Sequence, residues 1–163
     1  MDEKRRNFFA TVVQQSKQLS ECTKPKAALI VRGEGISVSG IGINRILISG
    51  GTGKVKADIE TSPVFEALTG SGIFGKYSEE TRPGNGYNST SNREFRAAFL
   101  TYFPHVDELK LLYQSGVQVI YFFGELDDED SVTLLNTLSY EHGDGPAGEP
   151  IKYTFFTLIQ LMI

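Results

Sequence analysis

The segment from residue 97 to residue 123 constrains the fold of this chain most strongly. It holds two apolar runs, at residues 97–103 and 117–123, with the length and composition of buried β-strands. Pro104 ends the first run, and residues 106–115 carry apolar side chains at helical spacing before Gly116. Strand, helix and strand in this order are typical of parallel neighbours in a sheet that is covered on both faces.

The flanking segments extend this α/β pattern. Residues 7–20 have the apolar spacing of a helix with one buried face, and residues 27–31 and 36–42 are β-type runs around a glycine-containing turn, typical of a hairpin. Residues 61–70 predict a short helix, in which Ser62 or Thr61 is the N-cap and Pro63 occupies the first position. Residues 127–138 predict another helix, and residues 151–163 a β-type or mixed apolar ending.

Composition and charge exclude several classes of protein. The 163 residues, of which 40% are hydrophobic and 22% charged, suit one globular domain. The net charge is −4, whereas proteins that bind nucleic acids usually carry a basic surface. A polynucleotide partner is therefore not expected. No apolar run could span a bilayer and the charged beginning lacks a signal-peptide core, so we expect a cytoplasmic protein with no membrane partner. Cys22 is the only cysteine, which excludes an intrachain disulfide and a cysteine-rich zinc site.

Two polar segments are expected to be loops. Residues 49–54 place glycines before Lys54, but the spacing is not that of a phosphate-binding Walker loop and no Ser or Thr follows the lysine. Residues 79–92 are rich in Gly, Asn, Ser and Thr, which predicts a flexible insertion around residues 76–94.

Three runs carry a resemblance to a known family. Residues 22–31 (CTKPKAALIV) are similar to an opening in which a cysteine and basic residues precede a hydrophobic strand, and residues 36–44 (ISVSGIGIN) to a second strand ending in a GYN element. Residues 99–121 are similar to the run YVTLFPCxxCAKLLIQSGIKxVIY. In order and spacing, the chain resembles the cytidine and deoxycytidylate deaminase superfamily over most of residues 7–140. The resemblance implies one three-layer α/β/α domain over residues 1–163, with a mixed sheet of about five strands.

The resemblance also implies a zinc site, which this sequence does not preserve. The family holds zinc in an H-x-E…P-C-x-x-C pattern; the metal activates a water molecule and the glutamate transfers the proton. The matching positions here hold Ser62 for the histidine, Val64 for the glutamate, and His105 and Glu108 for the cysteines. Valine cannot transfer a proton, and a hydroxyl is a poor zinc ligand. We therefore expect no bound zinc, no catalytic residues and no deaminase activity.

Some residues allow alternative interpretations. His105 and Glu108 lie three apart at a helix start, which would suit a non-standard metal site, or simply a solvated helix start whose acidic groups favour the dipole. Asn44 matches a family residue that contacts the nucleotide sugar, and Arg45 and Thr101 are further candidate nucleotide contacts. A structural asparagine and a surface arginine are the alternatives.

Three functions follow from these observations. The first is a catalytically inactive deaminase-like protein, acting as a regulatory or structural subunit in a homo-oligomer or hetero-oligomer. The second is a nucleotide-binding sensor or sequestering protein that uses the remnant pocket. The third is an active nucleotide deaminase with a non-standard metal site.

Overall fold

The computed structural model describes residues 1–33, 37–48, 59–75, 94–141 and 157–162. The predicted loop at 49–54 and the insertion around 76–94, apart from Glu94, lie outside these residues. None of the described helices is both long and apolar enough to span a membrane. In chain order the elements are α1 (Glu3–Ser16), a 3₁₀ turn (Lys17–Leu19), β1 (Ala27–Arg32), β2 (Ser37–Ile43), β3 (Ile46–Ile48), β4 (Ile59–Glu60), α2 (Pro63–Ser71), β5 (Arg96–Leu100), α3 (Val106–Gln114), β6 (Val119–Phe123), α4 (Glu129–Glu141) and β7 (Thr157–Leu161).

The main sheet has five strands in the order β2-β1-β5-β6-β7. Strand β1 pairs antiparallel with β2 and β5, whereas β5, β6 and β7 run parallel to one another. The mixed five-stranded sheet, the hairpin and the parallel strand–helix–strand unit are therefore confirmed. Strands β3 and β4 form a separate antiparallel pair that the sequence did not predict.

Helices cover both faces of the sheet because side chains alternate between the faces along each strand. Helix α1 packs Phe9 and Val13 against one face, where the rings of Phe99 and Tyr121 stack at 4.6 Å between centroids. Helices α2 and α3 cover the other face, and hydrophobic side chains of α4 pack against the same cluster. The buried residues of that second cluster include Ala28, Ile30, Ala98, Leu100, Leu109, Leu112, Ile120 and Phe122.

Helix α2 lies unusually close to the edge strand β2. A Cβ atom on Gly40 would lie 2.0 Å from the carbonyl oxygen of Ala67, and one on Gly42 would lie 2.0 Å from that of Pro63. The predicted beginning of this helix is confirmed, because Ser62 is its N-cap and Pro63 its first residue. The two glycines therefore fix the position from which the Ser62 side chain projects.

Several predicted boundaries differ from those of the structure, and two of them have a clear physical reason. Helix α1 begins at Glu3 rather than residue 7, because Asp2 Oδ1 accepts a hydrogen bond of 2.8 Å from the Arg5 amide and caps the helix. Strand β5 ends at Leu100 rather than residue 103, and the three residues after Thr101 lead into α3 instead of extending the sheet. This early end allows Tyr102 to turn toward the beginnings of α2 and α3.

Candidate functional site

A cavity of about 280 Å³ lies where the carboxyl end of β5 meets the N-termini of α2 and α3. Three of the four positions matched to the zinc chemistry, Ser62, His105 and Glu108, line it, and so does Asn44. The remaining lining residues are Lys26, Glu60, Thr61, Pro63, Tyr102 and Asp107. The fold thus brings together side chains that lie far apart in the sequence, as the resemblance implied.

Glu108 is the centre of the polar contacts in this cavity. Its Oε2 atom accepts hydrogen bonds from the Ser62 hydroxyl at 2.8 Å and from the Tyr102 hydroxyl. Its Oε1 atom accepts from the backbone N–H of His105 at 3.1 Å, the contact by which a glutamate in the third helical position stabilises the helix start. Only 7% of Glu108 is exposed, so the interpretation as a solvated helix start is wrong for this residue.

Tyr102 is held in its protonated form. Burial raises the pKa of its hydroxyl well above the ordinary value, and the negative charge of Glu108 raises this pKa further. The hydroxyl therefore donates to the carboxylate throughout the physiological range of pH. The Lys26 ammonium lies 4.9 Å from the Tyr102 ring centroid, within the range of a cation–π contact.

The His105 imidazole has a different partner. Its Nδ1 atom lies 2.6 Å from Oδ2 of Asp128, and 67% of the side chain is exposed. Asp128 also accepts hydrogen bonds from the backbone N–H groups of Ser131 and Asp130 at the start of α4. The hydrogen bond from the Ser131 backbone lowers the pKa of Asp128, and the contact with His105 lowers this pKa further. His105 thus joins the beginnings of α3 and α4.

The residues present do not fit a zinc ion. Ser62 offers a hydroxyl that donates to Glu108, Glu108 is engaged by three donors, and the His105 imidazole pairs with Asp128. Zinc sites in proteins use thiolate, imidazole or carboxylate groups that converge on one point. Across the ranges that the structure describes, no group of three or more His, Cys, Asp or Glu side chains is arranged to hold a metal ion.

No protein-family model and no curated protein sequence matches this chain. Among solved structures, the dCMP deaminase of the cyanophage S-TIM5 in complex with dCMP and dUMP is similar, with a TM-score of 0.61, 17% identity and 99% of both chains covered. Its apo form gives a TM-score of 0.59 at 18% identity, covering 99% of this chain and 100% of the other. The fold is that of a dCMP deaminase. This likeness confirms the α/β architecture with a mixed sheet.

Within the deaminase fold, the position matched to the proton-transferring glutamate carries a hydrocarbon side chain. Val64 is fully buried and packs in the core cluster that includes Ala67 and Leu68. Glu66, two residues further on, is directed elsewhere, because both of its carboxylate oxygens accept hydrogen bonds from the Arg45 guanidinium at 2.8 and 3.0 Å. That contact raises the pKa of Arg45. Neither residue places a proton acceptor near Ser62.

The three candidate nucleotide contacts are all engaged within the protein. Asn44 is 1% exposed and its side-chain amide bonds to Ser20, Lys24, Lys26 and Glu60. The side chains of the other two candidates are also bonded: the Thr101 hydroxyl lies 2.9 Å from the Ala27 amide nitrogen, and Arg45 pairs with Glu66. The cavity lies beside Asn44, yet a nucleotide would compete with these bonds.

Sequence reasoning missed several residues of the site. Tyr102 was assigned to the apolar core run, although its place directly before Phe103-Pro104 at the end of a strand marks a turn toward the helix start. Asp128 lies in the segment predicted as a helix over residues 127–138, and nothing in the sequence links it to His105. Lys26 is one of the basic residues of the first matched run and Glu60 carries no motif signal, and only the fold places both in this cavity.

Proposed function

We propose that this chain is a catalytically inactive protein with the dCMP-deaminase fold, which acts as a regulatory or structural subunit by binding other protein chains. The observation that carries the proposal is the state of Glu108. A carboxylate occupies a position matched to a zinc-binding cysteine, and it is engaged by Ser62, Tyr102 and the His105 amide. Hydrolytic deamination in this fold uses a zinc-activated water and a glutamate that transfers the proton. The position matched to that glutamate holds the buried Val64, and the residues present do not fit the zinc ion.

The exposed apolar surface supports a function in protein contacts. Phe65 on α2 is 51% exposed and forms an edge-to-face pair with Phe74, at 5.0 Å between ring centroids. The ion pair between Arg45 and Glu66 links the residue before β3 to α2, and Leu47 on β3 is 66% exposed. Neighbouring exposed aromatic and aliphatic side chains are typical of protein interfaces.

The catalytic part of the proposal is tested by a dCMP deamination assay with the purified chain, with and without added zinc. We expect no conversion of dCMP to dUMP above the uncatalysed rate. Conversion that disappears in both His105→Ala and Glu108→Ala would instead support the active enzyme with a non-standard metal site. Asp107→Ala, which alters an exposed carboxylate of the same cavity, is the matched control.

The association part is tested by measuring the molar mass in solution with light scattering. We expect the wild-type chain to assemble and Phe65→Glu to remain monomeric, because a charge at the centre of an apolar contact is strongly unfavourable. Leu126→Glu is the matched control, since Leu126 is 55% exposed but lies in the segment after β6. Identical masses for the wild type and both variants would contradict self-association through the Phe65 surface.

Two observations favour a second candidate function, a nucleotide sensor or sequestering protein. The similar solved deaminase is in complex with dCMP and dUMP, and a cavity is present here beside Asn44. Against it, the cavity is lined by three carboxylates and one ammonium group, which disfavours a nucleotide phosphate. A thermal-shift panel of dCMP, dUMP, dCTP and dTTP tests whether the chain binds a nucleotide. A ligand at 100 times its Kd stabilises a protein by about 2.7 kcal/mol, which would raise the melting temperature. We expect no shift; a clear shift with one nucleotide would favour the sensor.

A further inference from the structure

We infer that the part of the main sheet formed by β6 and β7, on the face that carries α1, is a docking site for an acidic amphipathic helix of a partner protein. This area is called the β6–β7 half-face below. Such a site rests on the proposed function, because it specifies which kind of chain a regulatory or structural subunit would bind. It lies on the opposite face of the sheet from α2, the helix that carries Phe65.

One helix is too narrow to cover this face of the sheet. Five strands spaced by about 4.8 Å place the outer two about 19 Å apart, whereas a helix with its side chains is about 10–12 Å wide. Among the described residues, α1 is the only helix that contributes to the hydrophobic cluster on this face, and it packs mainly on β1, β2 and β5. Strands β6 and β7 are therefore left without a helix of the described part of the chain above them.

The burial of side chains follows this uneven cover. Phe99, Tyr121 and Ile159 are neighbours in one row across β5, β6 and β7, and all three belong to the cluster on the α1 face. Phe99 is fully buried and Tyr121 nearly so, but Ile159 is only partly buried, and so is Leu161 further along β7. Neighbouring aliphatic side chains that remain partly uncovered are typical of a surface that binds another chain.

A cavity of about 520 Å³ lies between α1 and the carboxyl end of β6, where Phe123 forms part of its wall. Along α1 it is lined by Asn7, Thr11 and Gln14, and beyond the helix by Gln18. These positions are spaced by four, three and four residues, the spacing at which one helix packs alongside another. The side chains of Gln14 and Gln18 form no hydrogen bond with another described residue, so their amide groups can donate to and accept from a docked helix.

The charges along this flank of α1 are positive. Lys17 lines the cavity just after the helix, and none of the described lining residues is an aspartate or a glutamate. Near the other end of α1, burial raises the pKa of Tyr121 and the positive charge of Arg6 opposes this shift, which places Arg6 on the side of the helix that faces β6. A second copy of α1, which begins with Lys4, Arg5 and Arg6 after one glutamate, would bring like charges into the site. Acidic residues at both ends of a docked helix would be complementary instead.

The probe is a fluorescently labelled synthetic peptide of about 18 residues, long enough to form a helix, with leucine on one face, glutamine beside it and glutamate near both ends. Its anisotropy is measured while the full wild-type chain is added at low salt. We expect saturable binding, and replacement of the glutamates by lysine should weaken it by roughly tenfold or more. Nonspecific attraction to a chain of net charge −4 would favour the lysine peptide instead. A glutamate peptide that does not bind, or a lysine peptide that binds as tightly, overturns the inference.

Two variants locate the site while lowering the net charge of the chain by the same amount. Gln14→Glu places a carboxylate in the cavity and should weaken binding of the glutamate peptide several-fold. Arg5→Gln, at an exposed position outside the cavity lining, is the matched control and should weaken binding clearly less. Equal effects would overturn the inference. A lower molar mass for Gln14→Glu than for the wild type would assign the site to a second copy of the chain and would also overturn it.

Failure of the proposed function can be recognised separately. Phe65→Glu should bind the glutamate peptide as the wild type does, because Phe65 lies on the helix that covers the opposite face of the sheet. Loss of binding in this variant would overturn the docking site. Deaminase activity, or a wild-type chain that remains monomeric, would count against the proposed function, while the peptide titration would still test the docking site.

Discussion

Replacement of Asn44 by alanine should destabilise the fold, because this side chain is a structural connector in the described structure. Its Oδ1 atom accepts from the Ser20 hydroxyl at 2.6 Å and from the Lys26 amide at 2.8 Å. Its Nδ2 atom donates to the Lys24 carbonyl at 2.9 Å and to the Glu60 carboxylate at 3.1 Å. The four bonds tie the end of β2 to the segment before β1 and to β4.

The loss of unfolding free energy in Asn44→Ala depends on which former hydrogen-bond partners of the side chain can find another partner. The Ser20 hydroxyl keeps its bond to the Asn44 carbonyl oxygen, at 2.8 Å, and the exposed Glu60 can be rehydrated. The Lys26 amide and the Lys24 carbonyl lose their side-chain partner. Two groups of this kind, partly buried, correspond to roughly 2–4 kcal/mol of unfolding free energy. For a chain of this length that is a fall in Tm of roughly 5–15 °C.

The assay is urea unfolding of wild type and Asn44→Ala, followed by circular dichroism. The control is Asn7→Ala, an exposed position on α1 that should change the unfolding free energy by no more than about 0.5 kcal/mol. If Asn44→Ala were as stable as the wild type but lost affinity for a nucleotide, its amide would be a ligand contact. That result would refute the structural role argued above.

Two further predictions concern the packing of α2 and the charges at the other end of β5. Gly42→Ala should cost several kcal/mol or prevent folding, because its Cβ would overlap the Pro63 carbonyl oxygen, and urea unfolding or the soluble yield would reveal this. Burial alone would raise the pKa of Glu94, but hydrogen bonds from Arg96 and Arg32 outweigh it and lower that pKa. The stabilisation from Glu94 is therefore complete above the unfolded pKa of about 4.3 and is lost as the pH falls through the lower folded pKa. Glu94→Gln should show a smaller loss of stability between neutral and acid pH in thermal melts.

The parts of the fold that sequence reasoning predicted are those with local signals. The hairpin of β1 and β2, the helix that begins at Pro63 and the unit β5–α3–β6 are all marked by apolar runs between prolines and glycines. The β3–β4 pair was not predicted, because strands of three and two residues are too short to show an alternating pattern. The mixed sheet of about five strands came from the family resemblance, and the order of the strands was not predicted.

The site could be predicted only in part. The convergence of Ser62, His105 and Glu108 followed from aligning two motifs with the family pattern. The contacts that these residues make could not be predicted, because Glu108 bonds to Ser62 across 46 residues of sequence. Burial of a glutamate at a helix start depends on what packs over it, and here Tyr102 turns in from the end of a strand. Such long-range contacts leave no periodic signal.

The zinc content of the purified chain tests the central claim most directly. The protein would be expressed in zinc-supplemented medium, freed of loosely bound metal by gel filtration, and analysed by mass spectrometry of the elements. With Ser62, His105 and Glu108 placed as described, we predict far less than one zinc ion per chain. One retained zinc ion per chain, lost in both His105→Ala and Glu108→Ala, would contradict the account and restore the case for a working metal centre.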